Sequence, residues 1–211
     1  MTKNYAVIPV KKFDQSKQRL ASVLSRTERE NLTFHLVFNM LAKLQASSVG
    51  TIILVAANIG DAAKIAPAFS KLRVVGESIH NGGVNSAMLD GLQLIPASKS
   101  KVLLLPSDLP LITTSAIIRA FDLLDAYDVV INPSERKDGT NLLGFWSNKA
   151  IELHYDDNSL SKHLEEIQKM KLKFELIEWK EFSTDVDAPE DLKALSKLFK
   201  IGNLSELIEK I

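Results

Sequence analysis

Cations and carboxylates mark the segments of this sequence that could do chemistry. Lys11, Lys12, Lys17 and Arg19 leave the end of an apolar run within nine positions. Such a cluster suits a polyphosphate, because each charge-assisted hydrogen bond contributes about 1.5–3 kcal/mol. A solvated basic loop is the plain alternative. Asp108 follows the apolar Leu103-Leu104-Leu105 and stands between Pro106 and Pro110. The prolines stiffen the turn, and a rigid carboxylate suits Mg²⁺, which is commonly held by one or two carboxylates together with substrate phosphates. The competing reading is a turn aspartate that caps a helix starting at Ser115. Asp185 and Asp187 lie two apart in an extended segment and therefore share a face. They could complete a metal site with Asp108, although Asp187 ahead of Pro189 also has the form of a helix N-cap.

Two further segments carry polar groups in suggestive places. In Asn81-Gly82-Gly83-Val84-Asn85, paired glycines let the backbone approach a ligand, Asn85 could read base edges, and the helix that follows would offer free N–H groups. A plain turn explains the same residues. Thr140, in Asp138-Gly139-Thr140-Asn141, could bind an anion together with the helix N-terminus at Ser159. His163 lies four residues beyond Ser159 on the same helix face; a lone helical histidine is more often structural. Phe34, Phe38, Met40 and Trp146 read as core residues.

The elements that must position these groups alternate along the chain. Residues 5–10, 51–57, 101–105 and 128–131 are short and rich in Val, Ile and Leu, as strands buried on both faces are. Residues 173–179 alternate as an edge strand does. Residues 27–44 form the clearest helix, with Ser25 and Glu28 placed for a capping box. Residues 62–69, 85–95, 115–124, 159–170 and 190–199 continue the helical pattern. Strand and helix in alternation predict an α/β fold of three layers, α/β/α, around a mostly parallel sheet. Ligands of such sheets sit at the carboxyl ends of the strands, where the cations and Asp108 fall. One domain over residues 1–200 and a helical tail at 201–211 are expected.

Composition narrows the function classes. The 211 residues balance 26 Lys+Arg against 26 Asp+Glu, which argues against broad adhesion to nucleic acid or anionic membrane. With no cysteine, disulfides, thiolate zinc sites and cysteine nucleophiles are excluded. No apolar run approaches the ~20 residues needed to span a bilayer, and no signal-peptide pattern opens the chain, so a cytoplasmic protein is expected. Neither G-x-x-x-x-G-K-[ST] nor G-x-G-x-x-G occurs, which weighs against P-loop NTPases and Rossmann dehydrogenases.

Taken in order, Ile8-Pro9-Val10-Lys11, Lys17-Gln18-Arg19-Leu20-Ala21, Gly83-Val84-Asn85-Ser86-Ala87, Pro106-Ser107-Asp108-Leu109-Pro110-Leu111, Gly139-Thr140-Asn141, the run from Tyr155 to His163, and Asp185-Val186-Asp187-Ala188-Pro189-Glu190-Asp191-Leu192 resemble the 2-phospho-L-lactate guanylyltransferase family of coenzyme F-420 biosynthesis. The resemblance spans residues 8 to 192. It implies a nucleotidyltransferase fold of the GT-A-like, Rossmann-like kind, with GTP as co-substrate, Mg²⁺ as cofactor and a homodimer as the family-level expectation. It implies Asp108, Asp185 and Asp187 as metal ligands, and Lys11, Lys17 and Arg19 at the nucleotide phosphates. Gly83 and Asn85 fall near the nucleoside, and Thr140 and Ser159 at a small phosphorylated acid. Asp156 stands in the acceptor segment where the family usually has glycine, and its charge would bear on an anionic acceptor.

The implied reaction moves GMP from GTP to the phosphate of 2-phospho-L-lactate, phosphoenolpyruvate or 3-phosphoglycerate, with Asp108, Lys17 and Arg19 as the catalytic group. Two rivals stay open at this point. One is another GT-A-fold enzyme: a glycosyltransferase using Asp185-Val186-Asp187, or a molybdopterin nucleotidyltransferase, whose first loop would be glycine-rich rather than lysine-rich. The other is a non-catalytic nucleotide-binding module.

Overall fold

The structure, a computed structural model, describes residues 3–78, 82–96, 98–149, 151–155 and 158–196. Seven strands form one sheet: β1 (Asn4–Val10), β2 (Thr51–Ala56), β3 (Leu72–Gly76), β4 (Lys101–Leu104), β5 (Val129–Pro133), β6 (Thr140–Trp146) and β7 (Phe174–Leu176). Their order is β3-β2-β1-β4-β6-β5-β7. β6 runs antiparallel to β4 and β5, and the other neighbours are parallel. The helices are α1 (Arg26–Gln45), α2 (Ile59–Ile65), α3 (Gly83–Gln93), α4 (Thr114–Leu123), α5 (Ser159–Lys169), the single turn α6 (Lys180–Ser183) and α7 (Pro189–Ser196).

The apolar runs are continuous because the sheet is covered on both faces. Ala6, Ile8 and Val10 of β1 join Val37, Met40 and Leu41 of α1 in one core. The alternate residues Tyr5 and Val7 join Met88 of α3 and Ile167 of α5 in the other. Period-two alternation thus feeds two apolar layers rather than one apolar and one wet face. This is the three-layer α/β/α arrangement expected from the sequence. The capping box also forms: Glu28 N–H donates to Ser25 Oγ at 3.3 Å, and Ser25 N–H donates back to Glu28 at 2.9 Å.

Packing sets how closely the glycine-led helix approaches the central strand. A Cβ on Gly91 would lie 2.3 Å from Val7 Cγ1, so only glycine lets α3 seat this deeply on β1. That seating brings the N-terminal end of α3 to the carboxyl end of β1.

Several expectations change. β3, β6 and α6 were not anticipated. The second predicted helix is α2 followed by a 3-10 turn, because Pro67 sits in the next turn. Phe38 is a rim residue rather than core, 38% exposed and stacked on Phe34 at 5.9 Å. Trp146 is also only partly buried; its Nε1–H donates to the Leu124 carbonyl at 2.9 Å. The expected tail at 201–211 lies outside the described residues. Among the described residues no helix is long and apolar enough to cross a membrane.

Candidate active site

The loop after β1 is folded so that one lysine points inward. Phe13 plugs into the core and its N–H donates to Asp61 at 3.1 Å. Ser16 Oγ donates to the Lys12 carbonyl at 2.8 Å. Lys17 then adopts a left-handed backbone, φ 55°, a region costly for a residue with a Cβ by roughly 1–3 kcal/mol. The buried Leu20 anchors the following turn. The result is a Lys17 side chain only 7% exposed, whose ammonium bonds Asp108 and, at 3.2 Å, Asp187. Burial opposes that charge, but Asp108 and Asp187 outweigh it and hold the Lys17 pKa above its ordinary value. Arg19 stays largely exposed with its guanidinium 4.0 Å from Asp187.

The carboxylates reach this lysine from two distant segments. Asp108 follows β4, and buried Leu109 and Ile112 pin the chain on its far side. It is not a helix cap: Thr113 Oγ1 accepts the Ala116 N–H at 3.1 Å at the start of α4. Val186 is fully buried among Leu20, Leu32 and Leu192, so the alternation of an extended chain turns Asp185 and Asp187 the other way. Asp191 accepts the backbone N–H groups of Asp187 and Ala188 at 2.8 and 2.7 Å. The start of α7 is thus closed by Asp191, and the Asp187 carboxylate serves Lys17 and Arg19 instead. Asp185 has its pKa raised to about 6, first by burial and then by the negative charges of Asp108 and Asp187. Among the described residues no three His, Asp or Glu side chains already stand at metal-ligand spacing; the Lys17 ammonium bridges two of the three acids.

The segment bearing Asp185 and Asp187 has supports that the sequence did not single out. Asn132 is fully buried at the end of β5, and its Nδ2 donates to Ser183 Oγ at 2.9 Å. Asn141 Nδ2 donates to the Ser183 carbonyl at 3.1 Å. Two strand-end amides thus fix the chain two residues before Asp185. A polar residue inside the apolar Val-Val-Ile-Asn-Pro run was the available signal.

Lys11, Lys17, Arg19, Asp108 and Asp187 line one cleft of about 370 Å³. A second cleft of about 290 Å³ shares Pro9, Lys11, Gln15 and Val84 with the first and continues to Lys12, Glu77 and Gly83. Gly83 has φ +78° and open space where a side chain would be, which suits close approach of a ligand to backbone. Asn85 is committed differently from the expected base reader: its Oδ1 accepts the Tyr155 N–H at 2.7 Å.

Thr140, Ser159 and His163 come together, but as a buried knot lining neither cleft. Ser159 Oγ accepts the Thr140 N–H at 2.8 Å, and Thr140 Oγ1 meets His163 Nδ1 at 3.0 Å. His163 Nε2 accepts the His154 N–H at 2.9 Å; this assigns the proton to Nδ1, which donates to Thr140. Tyr155 packs edge-on against the ring at 5.0 Å. Asp156 lies outside the described residues.

This knot carries a pH signature. Burial first, and His154 second, push the His163 pKa from 6.5 down to about 4. The unfolded chain takes up a proton below pH 6.5 that the folded chain refuses until about pH 4. The stabilisation is full above pH 6.5 and is lost as the pH falls through the folded value; it amounts to about 3 kcal/mol. Urea midpoints measured from pH 7 to 4 should decline over this window. In His163→Gln the midpoint should start lower and lose this part of the acid slope.

The comparisons with known proteins extend over nearly the whole chain. The family model described as guanylyl transferase CofC-like matches residues 4–202. The 2-phospho-L-lactate guanylyltransferase of Methanocaldococcus fervens is 33% identical over 88% of this chain and 81% of its own. That of Methanocaldococcus jannaschii is 32% identical over 93% and 83%. The phosphoenolpyruvate guanylyltransferase of Rubrobacter xylanophilus is 27% identical over 90% and 92%. Among solved structures, a protein of Desulfovibrio desulfuricans assigned to the nucleotide-diphospho-sugar transferases superposes with a TM-score of 0.81 at 19% identity, covering 100% of this chain and 95% of its own. A nucleotidyl transferase from Methanothermobacter reaches 0.66 at 11% identity, over 94% and 98%. The fold is that of the nucleotidyltransferases, and sequence identity above 30% with guanylyltransferases narrows it further. The chain belongs to the CofC-like guanylyl transferase family and is a nucleotidyltransferase.

Proposed function

We propose that this protein transfers GMP from GTP to the phosphate of a small phosphorylated acid and releases pyrophosphate, in coenzyme F-420 biosynthesis. The names of the relatives support 2-phospho-L-lactate and phosphoenolpyruvate as acceptors, and 3-phosphoglycerate has the same acid-plus-phosphate chemistry. The observation that carries the reading is the meeting of Lys17 with Asp108 and Asp187 in a cleft that also holds Lys11 and Arg19.

The reaction asks for positioning and charge neutralisation more than for a protein base. A phosphate monoester has its second pKa near about 6 and is largely a dianion at neutral pH. Its oxygen forms the new bond to the α-phosphorus of GTP, and the bond from that phosphorus to the β-phosphate oxygen breaks. Lys11, Lys17 and Arg19 stabilise the charge gathering on the departing pyrophosphate. Thr140 and Ser159 tie β6 to α5 beside the segment assigned to the acceptor.

Asp108, Asp185 and Asp187 are the residues that would hold Mg²⁺. The donor set fits: all three are hard oxygen ligands, and Asp108 and Asp187 lie close enough to Asp185 to add to the effect of burial in raising its pKa. Fit requires that Lys17 give up one of its two carboxylate bonds. When bound, the ion would neutralise phosphoryl charge at the reacting centre.

The test is pyrophosphate release from GTP and Mg²⁺ with each of the three acids in parallel. Release that depends on one or more of the acids is expected. Release without any acid, or none with any of them, would contradict the reading. Nucleotide-sugar donors in the same assay separate it from glycosyl transfer.

A further inference from the structure

We propose that Glu77, together with Lys12 of the same cleft, selects the guanine base of the donor. This rests on the guanylyl-transfer reading and assigns a part of it, base reading, for which the sequence offered Asn85. Asn85 has its side-chain oxygen on the Tyr155 backbone, which leaves base reading by that oxygen to another group.

The second cleft is where the base belongs. It opens from the triphosphate cleft through Pro9, Lys11, Gln15 and Val84, so a nucleotide with phosphates at Lys17 extends its nucleoside this way. Gly83 offers bare backbone along the route. The cleft lies across the carboxyl ends of β1, β2 and β3, at Lys12, Ala57 and Glu77. Glu77 and Lys12 are both half-buried, where a charge-assisted hydrogen bond discriminates more strongly than in open water.

The pair matches guanine in hydrogen-bond sense. The edge of guanine presents an oxygen acceptor at position 6, an N–H donor at position 1 and an amino donor at position 2. A carboxylate only accepts, and can take two donors at once; an ammonium only donates. Glu77 takes the N1 and 2-amino protons and Lys12 faces the 6-oxygen. Adenine reverses both signs: its N1 is an acceptor, which Glu77 repels, and its 6-amino group is a donor, which Lys12 repels.

Glu77 is also held where a specificity residue needs to be. Its own N–H donates to the Ala56 carbonyl at 3.3 Å, continuing the sheet past β3. The next residue is clamped by buried Asp90 of α3, whose oxygens accept the Ser78 N–H at 2.8 Å and the Ser78 hydroxyl at 2.6 Å. Asp90 precedes Gly91, whose contact with Val7 fixes the depth of α3. Asp90 is thus a positioning residue, holding the turn after Glu77 to a helix that cannot shift.

The experiment compares GTP, ITP and ATP as donors, by kcat/KM for pyrophosphate release. ITP keeps the 6-oxygen and the N1 proton and lacks only the 2-amino group. The wild-type enzyme should prefer GTP to ITP by at least about tenfold and GTP to ATP by about a thousandfold or more, since a site built to bond a polar group rejects analogues that leave it unpaired. Glu77→Gln should lose at least about tenfold with GTP, and its GTP-to-ITP ratio should fall toward one. Asp90→Asn should weaken selectivity in the same direction while turnover with saturating GTP changes less than its KM. A wild-type enzyme that uses GTP and ITP equally, or a Glu77→Gln enzyme with the wild-type ratio, would overturn the assignment while leaving guanylyl transfer intact. No turnover with any nucleotide would overturn the transfer reading and this one with it.

Discussion

Asp108→Asn should lower the rate of GMP transfer by about two to three orders of magnitude, the usual effect of losing one preorganised charge at a reacting centre, while the melting temperature stays within a few degrees of wild type. The two outcomes separate because Asp108 sits after β4 rather than in it and caps no helix. The amide keeps the shape of the side chain, and Lys17 retains Asp187 as a counter-charge at 3.2 Å. What is lost is one of the three negative charges that would draw a divalent cation. Pyrophosphate release at saturating GTP measures the first outcome and a thermal melt the second. Turnover near the wild-type level would remove Asp108 from the catalytic group.

Lys17→Met should cost activity and stability together. The lysine is nearly fully buried and pairs with two carboxylates; breaking such a pair from one side costs about 3–5 kcal/mol, because the remaining charges are left uncompensated. The melting temperature should therefore fall by many degrees. Activity should fall by about two orders of magnitude or more with loss of the cation facing the phosphates. Mg²⁺ should restore more melting temperature to the variant than it adds to the wild-type protein, since the acid trio then lacks its internal cation. Equal effects of Mg²⁺ on both proteins would show that the ion does not bind at these carboxylates. Arg19, largely exposed, provides the contrast: Arg19→Ala should leave stability unchanged and lower kcat and kcat/KM for GTP.

Much of this was visible in the sequence, for reasons the structure makes plain. β1, β2, β4 and β5 were legible because a sheet covered on both faces demands unbroken apolar runs, and α1 because its capping box and helical spacing agree. β3 was not: it is a short edge strand, only partly buried, and the exposed Arg73 interrupts its apolar run. β6 escaped because it opens on the turn-like Gly139-Thr140-Asn141 and contains Gly144, which reads as a breaker. Its antiparallel insertion between β4 and β5 cannot be inferred from strand–helix alternation.

The site was legible in its charges and less so in its partners. Lys17, Asp108 and Asp187 stand 91 and 170 residues apart, yet the apolar strands β1 and β4, which precede Lys17 and Asp108, mark the end of the sheet where they meet. Apart from Asn132 within its apolar run, the supports were hidden for want of local pattern. Asn132, Ser183 and Asp90 matter through bonds across the fold, and Glu77 follows a strand that was itself not anticipated. Thr140 and Ser159 were paired correctly in space, but their side chains are buried against His163 rather than open to a cleft.

GTP and a divalent cation are expected to meet in the Lys17 cleft, at Asp108 and Asp187 of its lining with Asp185 close by. The most direct measurement is the anomalous diffraction of Mn²⁺, standing in for Mg²⁺, in crystals soaked with a non-hydrolysable GTP analogue. A peak is expected at coordination distance, about 2.1 Å for the native ion, from carboxylate oxygens of Asp108, Asp185 and Asp187, with the triphosphate against Lys11, Lys17 and Arg19. A metal and triphosphate bound elsewhere on the chain, with Lys17 still bridging Asp108 and Asp187, would contradict it.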